Sequence, residues 1–249
     1  MTTRKTVRAT KKRGANLHAR IERAIGERIL GGEFKPGALL PNEADWGKTY
    51  EASRTVVREA IKSLTAKGLI QSRPKIGSRV EPRSRWNMLD RNVLAWHRAA
   101  MDRRAFLHST QEARRLIEPG IAALAARKHT PAQLDRLLSA LEAMKTTMKD
   151  ARPPAPAVSA DVEFHEALLA CANNELLMPF AIIIEQALSN LFDFTTARNP
   201  HHGQALKLHE NIVRAVAAAD ATAARDAMRA LLDDTDTIIE TASGKPKKR

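Results

Sequence analysis

Residues 17–81 carry three short amphipathic patterns and then one small alternating hairpin, an order that few folds accept in so little chain. Leu17, Ile21, Ile25, Ile29 and Leu30 recur at helical spacing until Gly31-Gly32 stops them. Pro36-Gly37 marks a turn, and Asn42 is placed to cap a short second helix with Trp46 and Tyr50 one turn apart. Ser53 is placed to cap a third helix, whose apolar stripe is Val56, Val57, Ala60, Ile61 and Leu64 and whose end is Lys67-Gly68. Leu69–Gln71 and Ser78–Glu81 read as two short strands joined through Arg73-Pro74-Lys75-Ile76-Gly77. Three helices and a basic hairpin describe a winged helix-turn-helix.

Beyond residue 81 the period stays helical. Residues 82–86 read as a linker, and the apolar spacing predicts helices near 87–100, 103–127, 130–149, 159–172, 174–197, 203–218 and 221–242. Arg152-Pro153-Pro154-Ala155-Pro156 is the clearest interior loop, and Pro119 predicts a kink in the helix that contains it. The organisation expected is a basic, unstructured tail over 1–16, a DNA-binding domain over 17–81, and a linker with its helix over 82–100. An all-helical domain follows over 101–243, and a second basic tail over 244–249. The fold class is mostly α.

Charge separates the same regions. The chain carries +13, of which +6 falls in residues 1–16, +5 in 17–83, −2 in 84–244 and +4 in 245–249. A positive field confined to the first third of the chain and the two ends suits a polyanion such as double-stranded DNA, the alternative being a solvated basic surface without a partner. A single cysteine, Cys171, excludes an internal disulfide and suits a reducing cytoplasm. No stretch offers the ~18 uninterrupted apolar residues that span a bilayer, and the basic N-terminus lacks an apolar segment behind it, so no membrane partner is expected.

Arg54 and Arg58 stand one helical turn apart on the third helix, so both guanidinium groups leave the same face, offset from the apolar stripe. Arg donates two parallel hydrogen bonds to guanine, and the hydroxyls of Ser53 and Thr55 suit phosphate or base edges. The order Pro36-Gly37-Ala38-Leu39-Leu40-Pro41-Asn42-Glu43, then Ala52-Ser53-Arg54-Thr55-Val56-Val57-Arg58-Glu59-Ala60-Ile61, then Leu64 and Gly68-Leu69-Ile70 resembles the GntR family of bacterial repressors. The resemblance implies a homodimer reading a short palindromic operator. It places Arg54 and Arg58 in the major groove with Thr55 nearby, and the wing around Lys75–Gly77 in the minor groove. Two positions depart from the family. Ala44 replaces a long polar residue that often touches DNA, and Glu51 stands where the turn usually holds Gly.

In the second domain, Asp161 and His165 are four residues apart and share a helix face, able to share a cation. Chance alone supplies roughly 0.4 such pairs in a chain of this composition, so the spacing is weak by itself. The segments Glu112–Pro119, Asp161-Val162-Glu163-Phe164-His165 and His209–Val216 resemble an FCD effector domain of the FadR type, giving a winged helix-turn-helix followed by an all-α FCD-type bundle. That resemblance implies a metal site of one Asp and three His, here Asp161, His165 and His209, with Leu231 standing where the fourth ligand belongs. A divalent Zn²⁺, Ni²⁺ or Mn²⁺ on three ligands and a satisfied polar pocket without metal are the two alternatives. The resemblance also places Arg114 in that cavity, facing an acidic effector; the alternative is an ion pair with Glu118 one turn on. His201 and His202 read as surface residues, and Cys171 as a packed thiol.

The segment Trp86–Trp96 is similar to the linker helix of the galactonate-responsive members of the family, which also lack the last His. That implies a sugar-acid effector, an aldonate such as galactonate or a 2-keto-3-deoxy-aldonate, and repression of a sugar-acid catabolic operon. Trp86 and Trp96 are expected to pack this helix rather than to touch ligand. The competing classes are the same regulator answering another small carboxylate, a metal-dependent enzyme, and a sequence-independent architectural DNA-binding protein. The order of motifs favours the regulator over the enzyme.

Overall fold

A computed structural model describes residues 3–73, 76–149, 154–194 and 202–242 and divides the chain into two compact units, Met1–Asp102 and Arg103–Arg249. Lys75, Arg152, Pro153, His201 and the tail 244–249 lie outside the described residues, as do the surroundings of the His202 side chain.

In the first unit, α1 (Thr3–Leu30) begins well before Leu17 and takes in most of the segment expected to be an unstructured tail. Lys, Arg and Ala are good helix formers and dominate that segment, with Gly14 the weak point. Ile21, Ile25 and Ile29 enter a core with Leu40, Trp46, Val57, Ile61, Leu64, Leu69 and Val80. α2 (Glu43–Thr49) starts at Asn42, whose side chain accepts from the amides of Ala44 and Asp45. Trp46 stacks on Tyr50 at 5.7 Å and meets the edge of Phe34 at 6.1 Å. α3 (Arg54–Ala66) is capped by Ser53 and closes at Lys67, after which Gly68 turns back with φ +72°. A Cβ on Gly68 would stand 2.2 Å from the carbonyl oxygen of Arg85, so both space and backbone require glycine there.

β1 (Ile70–Arg73) and β2 (Gly77–Val80) form an antiparallel hairpin with Ile70 opposite Val80 and Arg73 opposite Gly77. The ladder sits one or two residues nearer the turn than the alternation predicts. Residues 82–100, expected to link two domains, pack as part of this first unit. A 3-10 turn at Arg83–Arg85 leads to α4 (Arg91–Ala100), capped by Asp90. Trp86 and Trp96 are buried in the same core, and Trp86 donates its indole N–H to the Glu81 carbonyl at 3.0 Å. α4 approaches α1 closely because Gly26 has no side chain; a Cβ there would lie 2.4 Å from the Trp96 ring. Lys67 ties the end of α3 to this arrangement through Asp90 at 2.7 Å and Glu22 at 3.5 Å.

The second unit is helical throughout its described residues: α5 (Arg103–Lys128), α6 (Pro131–Lys149), α7 (Pro154–Cys171), a 3-10 segment (Glu175–Phe180), α8 (Ala181–Phe194), α9 (His202–Ala217) and α10 (Ala221–Ala242). α5 runs through the bundle as a single element that includes Pro119 and packs on α7, α8, α9 and α10. Its alanines 122, 123, 125 and 126 are fully covered, so helix axes approach closely there. α7 starts at Pro154, so Pro154 and Pro156, read as loop, form its first turn. The amide that proline lacks has no helical partner at that position. The helix expected from residue 174 is divided, because Pro179 lies in a 3-10 segment and α8 starts only at Ala181.

That division bears on the membrane question. Glu175–Phe192 has the length and composition of a span, with mean hydropathy 1.3 and 28% of it buried. It contains Glu175 and Glu185 and is not one continuous helix, and α8 packs on α5 and α7.

Candidate functional site

The first site is the exposed face of α3. Val57, Ala60, Ile61 and Leu64 are buried, and this fixes the rotation of the helix so that Arg54, Thr55 and Arg58 face solvent. The Ser53 hydroxyl accepts from the Val56 amide at 3.4 Å, so its lone pairs serve the cap and its proton is the group free to reach a phosphate. Glu51, in the preceding turn, has φ +50°, a left-handed backbone. That accounts physically for the glycine usual at this turn. Gly77 opens β2 with φ +96° at the exposed tip of the hairpin, beside Ile76, which is 56% exposed. Arg79 is turned back to donate to the Gly37 carbonyl.

The second site lies inside the helical unit, where Arg114 and Glu118 of α5, Asp161 and His165 of α7 and His209 of α9 are all buried. Arg114 Nε donates to Glu118 Oε1 at 2.5 Å, and His165 Nδ1 lies 2.9 Å from Glu118 Oε2. Asp161 Oδ1 is 3.5 Å from His165 Nε2 and 3.2 Å from His209 Nε2. Phe164 closes one side, its ring edge-on to His209 at 4.7 Å and to His165 at 5.6 Å. Of the two alternatives for Arg114, the ion pair with Glu118 is present, and it is buried rather than on the surface.

Protonation follows from the partners. Burial pushes the Glu118 carboxyl up, but Arg114 and His165 outweigh it and hold it at about 2, so it is a carboxylate and only accepts. His165 Nδ1–H therefore donates to it. His209 Nδ1 is 2.7 Å from the Ala205 carbonyl, which also only accepts, so that ring too is protonated on Nδ1. The Asp161 carboxyl is lowered as well: burial opposes the charge, and His209, His165 and Arg114 prevail.

With each Nδ1 turned to an acceptor, the Nε2 atoms of both rings face one carboxylate oxygen, Asp161 Oδ1. The 3.2 Å contact between His209 Nε2 and Asp161 Oδ1 lacks hydrogen-bond geometry, and both atoms are buried without a hydrogen-bond partner. The three ligand atoms of Asp161, His165 and His209 lie within 4.8 Å of one another, an arrangement that could hold a cation. Tetrahedral ligands at ~2.1 Å from an ion stand roughly 3.4 Å apart, close to the two separations found. One carboxylate and two imidazoles suit Zn²⁺, Ni²⁺ or Mn²⁺. Leu231 is buried in the apolar core and supplies no donor atom, so the protein offers three ligands.

Sequence reasoning placed Arg114, Asp161, His165 and His209, and the structure brings all four together. It missed the second contact of Glu118, which reaches His165 on another helix. It also missed the buried polar residues of α8, Gln186 and Asn190; Asn190 accepts from Arg103 Nε at 3.2 Å. Their signal was present, as two amides one turn apart in an otherwise apolar helix. Cys171 is sealed in the core, where burial pushes its thiol up to about 11.

A winged reader followed by a helical domain with a buried charged cluster defines a helix-turn-helix transcriptional regulator. Residues 17–80 match the family described as bacterial regulatory proteins, gntR family, and residues 110–234 match the FCD domain. The chain is 34% identical over 224 residues to the uncharacterized HTH-type transcriptional regulator YieP of Escherichia coli, covering 89% of this chain and 94% of that protein. It is 32% identical over 213 residues to the galactonate operon transcriptional repressor of the same organism, covering 85% and 92%. Among solved structures, Streptococcus agalactiae GntR shares the fold with a TM-score of 0.52 at 23% identity, over 88% of this chain and 99% of that one. The chain belongs to the GntR family of transcriptional regulators and carries an FCD domain.

Proposed function

We propose that this regulator is a homodimeric repressor of a sugar-acid catabolic operon, released from a palindromic operator when an aldonate such as galactonate, or a 2-keto-3-deoxy-aldonate, binds its helical domain. The observation that carries the reading is Arg114, 2% exposed and lodged in the same buried cluster as Asp161, His165 and His209. A guanidinium with its Nε side held by Glu118 still has N–H groups to receive a carboxylate through two parallel hydrogen bonds. The sugar-acid class is supported by the likeness to the galactonate operon repressor. A divalent cation on Asp161, His165 and His209 would supply a Lewis-acidic anchor for the ligand's oxygens. The cluster serves binding and not turnover.

On the DNA side, Ser53, Arg54, Thr55 and Arg58 of each subunit face successive major grooves, and the wing residues Lys75 and Gly77 reach the minor groove. Ligand acts by favouring the arrangement that does not fit the operator, and its effect is bounded by that difference in affinity. The test is a footprint on the gene's own upstream region, with and without a panel of aldonates. A short palindromic footprint lost with one aldonate is expected. Arg114→Ala should keep the footprint and lose the response, whereas Arg54→Ala should weaken binding by about 1–3 kcal/mol. A footprint indifferent to every sugar acid rejects the effector class, and salt-sensitive coating without a discrete site rejects the repressor.

A further inference from the structure

Glu118 uses both of its carboxylate oxygens, and on different partners. Oε1 accepts from Arg114 Nε on its own helix, and Oε2 accepts from His165 Nδ1 on α7 at 2.9 Å. Arg114 Nη2 also approaches Oε2, at 3.5 Å. The three side chains are each 2% exposed, so little solvent screens one from the next. Among the described residues no other hydrogen-bond partner of Arg114 is present, which leaves the outer edge of its guanidinium for a ligand.

We propose that Glu118 is a positioning residue that couples the two halves of this pocket, so that a carboxylate on Arg114 and a divalent cation on Asp161, His165 and His209 each strengthen the binding of the other. The inference rests on the assignments of Arg114 and of the cation cluster made above. Its physical basis is competition for one charge. Without ligand, the Glu118 carboxylate is divided between a guanidinium and an imidazole N–H. A ligand carboxylate on the outer edge of Arg114 offsets the guanidinium charge, and a larger share of the Glu118 field then bears on His165. An imidazole whose Nδ1–H is held by a stronger acceptor is a better donor at Nε2, the atom that faces the cluster. Reciprocity follows: the factor by which the carboxylate tightens the cation is the factor by which the cation tightens the carboxylate.

Glu118→Gln is a revealing replacement because it keeps the shape and breaks the logic. The amide oxygen can accept from Arg114 or from His165, but not from both sides of the carboxyl plane. With the amide nitrogen toward His165, the imidazole proton is driven to Nε2, where a cation cannot be bound.

The experiment is calorimetric titration of the full-length protein with Zn²⁺, alone and with saturating D-galactonate, and again with acetate as a bare carboxylate. In the wild type, galactonate tightens Zn²⁺ by roughly 5- to 150-fold. In Glu118→Gln, Zn²⁺ binding weakens by about 10- to 100-fold and the galactonate factor falls to about 1, with helical circular dichroism and operator binding retained. Glu118→Asp, which keeps the charge, recovers part of the loss. Arg114→Gln, which imitates the neutralised guanidinium, binds Zn²⁺ more tightly than ligand-free wild type and no longer responds to galactonate; this arm stands even if Glu118→Gln does not fold. Undiminished coupling in Glu118→Gln overturns the proposal, because cation and carboxylate would then be in direct contact. Weaker Zn²⁺ binding in Arg114→Gln overturns it as well. If acetate tightens Zn²⁺ in the wild type and galactonate does not, the sugar-acid reading falls and the coupling survives.

Discussion

Glu51 places an L side chain where the chain turns left-handed between α2 and α3, at φ +50°. That conformation carries a cost of roughly 1–2 kcal/mol for a residue with a Cβ, and none for glycine. Glu51→Gly is therefore expected to stabilise the reading unit by about 1 kcal/mol, less the extra freedom glycine gives the unfolded chain. Urea unfolding followed by tryptophan fluorescence measures it, since Trp46, Trp86 and Trp96 all lie in that unit. A midpoint that drops would mean the Glu51 side chain makes a contact that outweighs the strain. The same substitution removes a negative charge beside Arg54, so operator affinity should rise with stability. Residues of this kind were legible in part. Ser53, Arg54 and Arg58 declare themselves through a cap and an i, i+4 pair, which are local in sequence. Glu118 did not, because its decisive contact with His165 is made across two helices and no spacing along one helix encodes it.

Helix α4, which the spacing predicts as part of a linker, packs within the first unit. Its apolar residues Val93, Leu94 and Trp96 predict a helix with one buried face, but periodicity does not say what covers the face. The cover is α1, and the permission comes from Gly26, a residue with no apolar signal at all. The attachment has an electrostatic part as well. Asp90 caps α4 through the amides of Asn92 and Val93 and receives Lys67 at 2.7 Å. Burial opposes its charge, yet these hydrogen bonds hold its carboxyl below the ordinary value. A carboxyl depressed in the folded state adds stability that is complete above its unfolded pKa and disappears as pH falls through the folded one. The attachment of α4 should thus weaken below about pH 4. Asp90→Asn keeps the cap, because the amide oxygen accepts the same two bonds, and removes the titration. Its urea midpoint by tryptophan fluorescence should fall less between pH 6 and pH 3 than that of the wild type; an equal fall would assign the acid sensitivity elsewhere. Element limits failed chiefly at prolines. Pro154 opens α7, where a rule for helix breakers expects a loop, and Pro179 interrupts the helix expected from residue 174.

At the scale of the whole chain, the two units carry separate reporters. The tryptophans sit in the DNA-reading unit and the Asp161, His165 and His209 cluster in the other. If the cluster holds a divalent ion, EDTA should lower one calorimetric transition and leave the fluorescence midpoint in place. At an ion concentration about a hundred times Kd, the stabilisation removed is about 2.7 kcal/mol. A change in both transitions, or in neither, would contradict a cation bound in the helical unit alone. This division was the most legible property of the molecule, because charge and period both change along the chain. The helical unit also has a reporter of its own. Cys171, the one thiol in the chain, lies at the end of α7 with no exposed surface, and burial pushes its pKa to about 11. An alkylating reagent can reach it only while the bundle is open, and the thiolate it needs forms readily only in that moment. The rate of labelling is then a clock on the opening of the effector domain. Any ligand that stabilises the helical bundle should slow that clock without any engineered probe.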